Sequence, residues 1–435
     1  MPRFRNWGRT ATCTPAALAS PSSEEELRTV LRTSRRVKVV GGGHSWSDAA
    51  CTDGVLVSLD KLCRVLHVAD DRVEVEAGIR LDALNEELAV RGLALGVLGS
   101  IARQSVAGAI STGTHGSGPR HGSLASLVCA LRLMLADGSV RELLPGDELF
   151  DAARVGLGAL GVITRVTLRC EPAFRVEELA APVSFDAAVQ AIPQLVRDEQ
   201  YVKLWWLPHT DFVQVFRYRK TSEASTFSAF ARWFDDRVVN RVVFAALLAL
   251  SRLAPFIIPG MNRLVRAVYF LKTRKIARSD LALTIAMPPV HEEVEYAVPL
   301  ERAGEALRKL RELIERERLR VNFVAELRFA CADEAWLSPA YGRDTAYLGA
   351  YMARASGIET YFARFEEEML ALGGRPHWGK QFTARADRLR AVVPKLQAFS
   401  ELRAALDPEG KFDNAFLDRV TGLAGRLSPR APPSP

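Results

Sequence analysis

Cysteine and histidine are scarce in this sequence, and their spacing excludes several kinds of site. The 435 residues include 6 cysteines and 7 histidines. No two cysteines form a CxxC pair, and none stands at metal-ligand spacing from a histidine. We therefore expect no metal site, and reduced, mostly structural thiols of a cytoplasmic protein. The cysteines are Cys13, Cys51, Cys63, Cys129, Cys170 and Cys331.

Signal-type segments and clustered basic tracts are also missing. The first residues lack the apolar core of a signal peptide, so we expect a mature, uncleaved N-terminus. The net charge of +7 is a mild excess for this length, with no basic tract interleaved with aromatic residues. An acidic ligand or an anionic membrane surface would suit this charge better, and we expect no nucleic-acid partner. The hydrophobic fraction of 48% excludes general disorder and a fibrous repeat.

What is present is a succession of short strands, helices and glycine corners. From about 23 to 170, helical segments such as "SEEELRTVLRTS" alternate with strands such as "RVKVV" and "RVEVEAG", and Asp137-Gly138 predicts a hairpin turn. This predicts one α+β domain. After Pro172, "YVKLWWLPHTDFVQVFRYRK", "LTIAMPPV" and "RVNFVAELRFA" alternate like strands, and 300–319 and "GIETYFARFEEEMLAL" have the pattern of charged amphipathic helices. These predict a second α+β domain whose helices cover one face of a sheet.

Two segments stand apart from this alternation. The segment 226–271 is apolar, but its run "VVFAALLAL" is interrupted by Ser251 and Arg252 before it reaches the ~20 apolar residues of a spanning helix. It is either a buried helical pair or an interfacial contact with a membrane or partner, with its arginines facing water. The last stretch, 425–435, has the composition of a disordered tail.

Two glycine-rich loops in the first half carry the first functional signal. "KVVGGGHSWS" places three glycines after a strand, and "GSIARQSVAGAISTGTHGSG" interleaves glycines with hydroxyl side chains. A glycine run alone usually marks only a turn. Two such loops in one domain indicate a long, polar ligand threaded between them, and a dinucleotide fits that description. Neither loop explains His44, because such a cradle consists of backbone N–H groups.

Several separated motifs together resemble one enzyme superfamily. "GGGHS" with "STGTHGSG" is similar to the FAD-binding domain of vanillyl-alcohol-oxidase-type flavoproteins, and closest to the sugar-1,4-lactone and alditol oxidases. "ELRF", "WLSPAYGRD", "RPHWGK" and "DPEGKFDNAF" extend this resemblance from about Asn6 to Leu417. It implies an α+β, two-domain FAD-binding fold of the PCMH type with a sheet-and-helix cap. The implied domains are 1–171 for FAD, completed by 396–435, and 172–395 for the cap and substrate, with the apolar helical insert 226–271.

The resemblance assigns a role to His44. In this superfamily the histidine after the glycines is bonded through its ring to the 8α-methyl carbon of the flavin, and a neutral imidazole is a good nucleophile near pH 7. We therefore expect FAD attached covalently through His44. The implied cofactor-binding residues are Gly41, Gly42, Gly43, His44, Ser45, Ser105, Gly108, Ser111, Gly113, Thr114, His115, Gly116 and Val162.

The same resemblance implies the catalytic residues. Glu326 and Arg328 alternate on one strand and so share a face, with Arg328 near the substrate oxygens and Glu326 orienting it. Lys380 would lie by the reacting hydroxyl, where burial beside an arginine would make it a usable base. Ser105 matches a serine close to substrate in alditol oxidases. The implied substrate-binding set is Ser105, Glu326, Arg328 and Lys380.

Two histidines receive supporting roles. His377 is expected to support the loop that presents Lys380. His115 is expected to cap the second glycine loop near the pyrophosphate.

Departures from the family pattern narrow the range of expected substrates. Alditol oxidases carry a histidine about twenty residues after the Glu-x-Arg pair, whereas "DTAYLGAYM" here has none. This favours a lactone ring over an open-chain polyol, although Tyr347 and Tyr351 could supply polar contacts. The segment 226–271 is also similar to the apolar insert of the microsomal gulonolactone oxidases, which are membrane-associated. Peripheral association with a membrane is therefore an alternative to a purely cytoplasmic location.

The electron acceptor remains open at this point. Related lactone dehydrogenases carry an alanine near Gly99 that is thought to keep oxygen from the flavin, and glycine would leave space there. We therefore expect hydride transfer from the alcohol carbon to flavin N5, followed by reoxidation by O2 to give H2O2. A dehydrogenase that passes electrons to a cytochrome or quinone is the alternative, and a non-catalytic adaptor on a membrane surface is a distant third.

Overall fold

The structure is a computed structural model that describes residues 2–353 and 357–422. The predicted disordered tail, 425–435, lies outside the described residues. The described strands are β1 Phe4–Arg5, β2 Thr12–Cys13, β3 Ala17–Ala19, β4 Val37–Val40, β5 Val55–Ser58, β6 Val65–Ala69, β7 Arg72–Glu76, β8 Leu93–Ala94, β9 Val128–Met134, β10 Val140–Leu143, β11 Val162–Arg169, β12 Glu171–Pro172, β13 Arg175–Ser184, β14 Tyr201–Trp206, β15 Phe212–Thr221, β16 Thr273–Arg278, β17 Glu292–Pro299, β18 Ala325–Ala330, β19 Thr345–Met352 and β20 Arg375–Pro376.

Helices connect and cover these strands. The α-helices are α1 Glu24–Thr33, α2 Leu81–Val90, α3 Val106–Ser111, α4 Glu148–Arg154, α5 Phe185–Asp198, α6 Ala229–Phe234, α7 Ala245–Leu253, α8 Ile258–Tyr269, α9 Ser279–Leu283, α10 Ala303–Arg316, α11 Ile358–Ala371, α12 Ala386–Val392, α13 Leu396–Leu406 and α14 Ala415–Thr421. Shorter 3-10 turns cover Leu124–Leu127, Pro255–Ile257 and Leu300–Arg302, and a π-helical segment covers Asp235–Phe244.

The first half of the chain contains two main sheets. One is parallel with the order β3-β5-β4, and the other is antiparallel with the order β10-β9-β11-β7-β6. The predicted hairpin at Asp137-Gly138 is confirmed, because it joins β9 to β10 and Gly138 has a φ of 82°. The predicted helix start is also confirmed, since the hydroxyl of Ser23 caps α1 by accepting a hydrogen bond from the N–H of Glu26.

The second half is built on one sheet of eight strands in the order β16-β13-β15-β14-β18-β19-β17-β20. Helices α5, α10 and α11 pack on this sheet and on one another, and α10 and α11 are the two helices that the sequence predicted there. In α10 the apolar positions recur at helical spacing and are buried, from Ala303 through Leu307 and Leu310 to Ile314, while its charged positions stay on the outside. The opposite face of the sheet is left for the polar side chains described below. The α+β class is therefore confirmed.

One predicted strand is wrong, and a real one escaped the sequence analysis. "LTIAMPPV" lies in the end of α9 and the loop that follows, and the next strand, β17, begins at Glu292. Two consecutive prolines, Pro288 and Pro289, have no N–H to donate to a sheet ladder, which overrides the alternating pattern.

The C-terminal segment returns to the first half of the chain. The N–H of Val37 donates to the carbonyl of Lys411 at 2.9 Å. The side-chain amide of Asn414 donates to the carbonyls of Ala49 and Cys51, also at 2.9 Å. These bonds fit the predicted completion of the first domain by the end of the chain, although the domain boundaries themselves remain a prediction.

The insert 226–271 is helical, but it is not the buried helical pair that one alternative predicted. Thirteen of the seventeen strongly exposed large apolar side chains in the described residues fall between Phe227 and Leu271. Helix α6 buries none of its side chains, and α7 buries only Leu248 and Ser251. Within the described ranges no single helix is long and apolar enough to cross a membrane. The helical stretches Ala229–Leu253 and Pro255–Tyr269 pass that test only together, across a bend of 118°.

Candidate active site

A groove in the first half begins where β4 ends and the three glycines follow. It measures about 1150 Å³, counting the open solvent at its mouth. Its walls come from the glycine loop after β4, the N-terminal half of α3 and the loop that leads into β11. Of the predicted cofactor residues, those lining it are Gly41, Gly42, Gly43, His44, Ser45, Ser105, Gly108, Ser111 and Val162.

The groove depends on the missing side chains of its glycines. A Cβ on Gly41 would lie 2.1 Å from Oγ of Ser105, and a Cβ on Gly42 would lie 2.8 Å from the carbonyl oxygen of Arg103. Gly43 has a φ of 66°, a conformation that favours glycine. A backbone stripped of side chains in this way lets a phosphate chain approach closely, so the groove fits a dinucleotide such as FAD.

Four predicted cofactor residues, Gly113, Thr114, His115 and Gly116, do not line this groove. The hydroxyl of Thr114 accepts a hydrogen bond from the side chain of Gln104, and His115 turns towards the second half of the chain. Nδ1 of His115 is hydrogen-bonded with the carbonyl oxygen of Gly116 in the same loop at 2.9 Å, and its expected place near the pyrophosphate stays a prediction. The ring of His115 stacks on Tyr347, with a centroid distance of 3.5 Å.

A third glycine-rich loop lines the groove and was missed. Gly156, Gly158 and Gly161 of "GLGALG" contribute to its wall, and Gly158 and Gly161 have positive φ. The sequence signal was available, because glycines alternate with apolar residues just before the strand β11.

His44 is held as a neutral imidazole. Burial, aided by the charges of Arg80 and Arg103, lowers the pKa of His44 to about 4. The ring is therefore uncharged near pH 7 and keeps a free nitrogen lone pair, which is the state a nucleophile needs.

The loop that carries His44 is bonded to the loop that carries Lys380. The N–H of Trp46 donates to the carbonyl of Gly379 at 2.7 Å, and the hydroxyl of Ser47 donates to the carbonyl of Trp378 at 2.8 Å. The ammonium of Lys380 lies 4.2 Å from the centre of the Trp46 ring. The cofactor groove and the predicted catalytic lysine are thus neighbours, although 335 positions separate Ser45 from Lys380.

The free face of the eight-stranded sheet brings the other polar groups together. In the strand register Glu326 lies opposite Trp205 and Gly349, and Gly349 in turn lies opposite Glu295. Residues directly opposite in an antiparallel sheet project from the same face. A Cβ on Gly349 would lie 3.1 Å from the hydroxyl oxygen of Tyr351, so glycine there leaves room for that ring.

Arg328 is the centre of this face. Its Nη2 donates to Oε1 of Glu295 at 2.7 Å, and its Nε lies 3.4 Å from Oε2 of Glu326. Trp205 Nε1 and the Tyr351 hydroxyl donate to the two oxygens of Glu326, at 2.7 and 2.8 Å. The pair that the sequence predicted therefore shares a buried face, but its guanidinium has a second carboxylate, Glu295, that the sequence analysis missed.

The charges of this cluster determine one another. Burial would lower the pKa of Arg328, but Glu295 and Glu326 outweigh it and hold the pKa well above its usual range. Burial would likewise raise the pKa of Glu295, but Arg328 and His115 hold it well below. For Glu326, too, Arg328 overcomes the effect of burial and lowers the pKa. All three groups are therefore ionised at neutral pH.

Lys380 has a carboxylate partner of its own. Its ammonium donates to Oε2 of Glu293, which is fully buried on the same strand as Glu295. The loop is fixed above that strand, because the N–H groups of His377 and Gln381 donate to the carbonyls of Glu295 and Glu293 at 3.0 Å. The resemblance implied an arginine beside Lys380, whereas the structure places Glu293 there.

His377 supports this loop as expected. Its Nδ1 accepts a hydrogen bond from the N–H of Gly379 at 3.0 Å, directly before Lys380. His115, Glu295 and His377 lie close enough together to raise the question of a metal ion. The guanidinium of Arg328 already binds Glu295, and Nδ1 of His377 is already an acceptor, so this arrangement favours shared protons over a cation.

Ser105 has a structural part at the groove. It is buried, and its hydroxyl accepts a hydrogen bond from the N–H of Gly108 at 3.2 Å as the N-cap of α3. It lines the cofactor groove, and its predicted contact with substrate remains a prediction.

Comparison with known proteins agrees with this geometry. The profile of the FAD binding domain matches residues 15–144, and that of D-arabinono-1,4-lactone oxidase matches residues 166–420. The chain is similar to the L-gulonolactone oxidase of Scyliorhinus torazame, with 36% identity over 96% of this chain and 98% of that one. It is 35% identical to an L-gulono-1,4-lactone dehydrogenase of Mycobacterium tuberculosis, over 97% and 99% of the two chains.

A solved structure shares the fold. The cholesterol oxidase of B. sterolicum superimposes with a TM-score of 0.81 over 96% of both chains, at 15% identity, which shows the fold alone. Profile matches and near-complete alignment with the lactone-oxidising relatives show the family itself. The chain belongs to the D-arabinono-1,4-lactone oxidase family and is an FAD-dependent oxidoreductase.

Proposed function

We propose that this protein oxidises an alcohol group of a sugar-1,4-lactone or a related polyol, with FAD as the hydride acceptor and O2 as the final electron acceptor. The observation that carries the proposal is the bonding of the His44 loop to the Lys380 loop. It brings a groove suited to FAD beside a buried face with Arg328, Lys380 and three carboxylates.

The chain's own residues divide the work of the reaction. When bound, FAD accepts a hydride from the carbon that bears the reacting hydroxyl. Arg328, held between Glu295 and Glu326, can bind the substrate oxygens without competing with water, because its surroundings are buried. Lys380 can take the hydroxyl proton at Nζ once its ammonium has given a proton to Glu293, its hydrogen-bond partner. Glu326 orients Arg328, and Trp205 and Tyr351 fix Glu326.

A lactone ring suits this face better than an open-chain polyol. Position 349 is glycine, and the hydroxyl of Tyr351 is already directed to Glu326. The polar groups therefore concentrate around Arg328 instead of extending along the sheet for a longer chain. Relatives whose names specify L-gulonolactone and D-arabinono-1,4-lactone support the same choice. A panel of aldonolactones and alditols, scored for anaerobic bleaching of the flavin, tests it, and bleaching by alditols alone would contradict it.

The identity of the final electron acceptor needs a separate test, because some relatives are named oxidases and others dehydrogenases. Gly99 does not line the groove, and a Cβ on it would lie 2.6 Å from Cγ2 of Thr114. Gly99 therefore gives no support for oxygen access to the flavin, and the relatives named oxidases carry the proposal. Stopped-flow reoxidation of the reduced flavin by O2, with H2O2 assayed, decides between O2 and a cytochrome or quinone.

Covalent attachment of FAD through His44 is part of the proposal. His44→Ala should remove flavin fluorescence from the acid-denatured protein band, because the neutral ring nitrogen that forms the bond is gone. The control is His67→Ala, which removes an exposed histidine on β6 and should retain the fluorescence. Flavin that is released from the wild-type protein on denaturation would keep FAD as cofactor and contradict the bond.

We also propose that the insert 226–271 contacts an anionic membrane surface, with the protein otherwise cytoplasmic. Seven basic residues accompany two acidic ones between positions 226 and 272, beside the exposed apolar side chains described above. Among these, Leu253 and Phe256 are 85% and 78% exposed and flank the bend between the two helical stretches. An amphipathic surface of this composition binds by inserting its apolar side chains among the lipids.

Vesicle binding tests this contact. Changing Leu253 and Phe256 to aspartate should weaken binding to anionic vesicles by about 10²- to 10⁴-fold, since each buried apolar side chain contributes roughly 1.5–3 kcal/mol. Val90→Asp is the matched control, because Val90 is 86% exposed but lies far along the chain on α2. Equal loss of binding in both variants, or no binding by the wild-type protein, would overturn this part of the proposal.

A further inference from the structure

A buried carboxyl group lies directly behind the proposed catalytic lysine. Oε2 of Glu293 accepts the hydrogen bond from Nζ of Lys380. The other oxygen, Oε1, is also buried and has no hydrogen-bond partner among the described residues. The group therefore has one oxygen engaged by the ammonium and a second oxygen that can take a proton without breaking an existing bond.

The surroundings of Glu293 come from three strands and two loops. Glu295 lies two positions along β17, Arg328 projects from β18, and Tyr351 of β19 lies opposite Glu293 in the register. The loop of Lys380 covers the carboxyl group, and His377 of the same loop is neutral because burial holds its pKa well below the usual range. From the other loop, the ring of Trp46 lies over the ammonium.

Two carboxyl groups on one strand face thus have opposite environments. Glu295 is bound by the guanidinium of Arg328, which keeps it ionised. Burial and the nearby charge of Glu295 raise the pKa of Glu293 to about 7, although Lys380 opposes them. Neighbouring titratable groups whose pKa values are shifted in opposite directions in this way can divide acid and base roles between them. Glu293 is the member of the pair that can change protonation near neutral pH.

We propose that Glu293 and Lys380 form one proton-holding unit, in which the Lys380 ammonium gives a proton to Glu293 and the resulting amine takes the proton of the substrate hydroxyl. Oxidation of the alcohol breaks one C–H and one O–H bond and forms a C=O bond. The hydride leaves with both electrons for the flavin, and the remaining proton stays on the unit. Glu293 does not touch the substrate and is a positioning residue that acts through Lys380. This inference rests on the proposed function, because it requires an alcohol substrate.

The pH dependence follows from the protonation of Glu293. At a pH below about 7 this carboxyl group already carries a proton and cannot receive another. The kcat of the wild-type holoenzyme should therefore fall on the acid side with an apparent pKa near 7. In Glu293→Gln the kcat should fall by about 10²-fold, the usual contribution of a positioned proton acceptor. The acid limb near pH 7 should disappear, and KM should stay unchanged, because the substrate contacts remain.

A neighbouring residue provides the control. Glu292 precedes Glu293 on β17, projects from the opposite face, and accepts a hydrogen bond from Nε2 of Gln381 at 2.9 Å. Glu292→Gln removes the same charge from the same strand and should keep both the rate and the acid limb. Glu293→Asp keeps a carboxyl group and should restore the acid limb in part. An acid limb near pH 7 that persists in Glu293→Gln would overturn the inference, as would an equal loss of rate in the two glutamine variants.

A second readout needs no turnover. The values pH 6 and pH 8 bracket the Glu293 pKa of about 7. Infrared difference spectra of the holoenzyme between them should show the carbonyl band of a buried carboxylic acid. The band should be present in Glu292→Gln and absent from Glu293→Gln. If it is present but no lactone or polyol is oxidised, the proposed function fails while the proton-holding pair is supported. If substrate is oxidised and the band is absent, the proposed function stands and the pair is refuted.

Discussion

Replacing Arg328 with methionine is expected to reduce kcat/KM by about 10³-fold, the upper range for loss of one preorganised donor. The substitution removes the only group that binds both Glu295 and Glu326 in the described cluster. Methionine has a similar length and fills the same space, so the effect comes from the charge and the N–H donors. Steady-state kinetics on the FAD-loaded variant, with flavin content checked, measure the result.

The same variant should lose about 3–5 kcal/mol of stability, because breaking a buried ion pair leaves an uncompensated charge. Glu295 is 1% exposed and would keep its burial but lose the guanidinium. Its folded-state pKa would then rise above the unfolded value instead of lying below it. The stability deficit should therefore be largest at neutral pH and shrink as the pH falls towards the ordinary carboxyl value of 4.5.

Arg328→Lys separates the two effects. A lysine keeps one positive charge between the carboxylates but has no planar fork for two partners. Most of the stability should return, whereas the activity should stay far below that of the wild type. Full activity in Arg328→Lys would show that a point charge is enough and would contradict the role given to the guanidinium geometry.

The sequence predicted those parts of the site that lie on motifs, and it missed those that depend on partners far along the chain. The Glu-x-Arg spacing on β18 is enough to place Glu326 and Arg328 on one face. Glu293 and Glu295 look in sequence like a solvated strand, because acidic residues at alternate positions are common at a surface. Their burial depends on Arg328 and Lys380, which approach only when β17, β18 and the loop before α12 are assembled.

The same reasoning explains the insert and the false strand. Apolar helices are usually buried, so "VVFAALLAL" favoured a buried pair, but no other element of the described chain covers α6 or the outer side of α8. Local pattern also favoured a strand at "LTIAMPPV", where the absence of two N–H donors decides otherwise. In both places the outcome depends on what surrounds the segment or on single backbone atoms, and periodicity measures neither.

The second large effect is expected from Gly78→Ala. Gly78 lines the cofactor groove after β7, and a Cβ there would lie 1.9 Å from the carbonyl oxygen of Leu59 and 2.7 Å from that of Leu62. These are backbone atoms, so the contact cannot be relieved by rotating a side chain. The strand cannot move aside either, because the N–H of Gly78 donates to Leu62 and the N–H of Ala77 to Thr164, both at 2.9 Å.

The variant should therefore lose about 3 kcal/mol or more, the upper end of overpacking costs, and most of its flavin. Flavin-to-protein ratio and thermal unfolding measure the two losses. Gly260→Ala is the control, because Gly260 lies in α8 and nothing lies within 4 Å of a Cβ there. That change should leave flavin content unchanged and stabilise the helix by up to about 1 kcal/mol. Normal flavin content in Gly78→Ala would mean that the groove wall at β7 is not part of the FAD site.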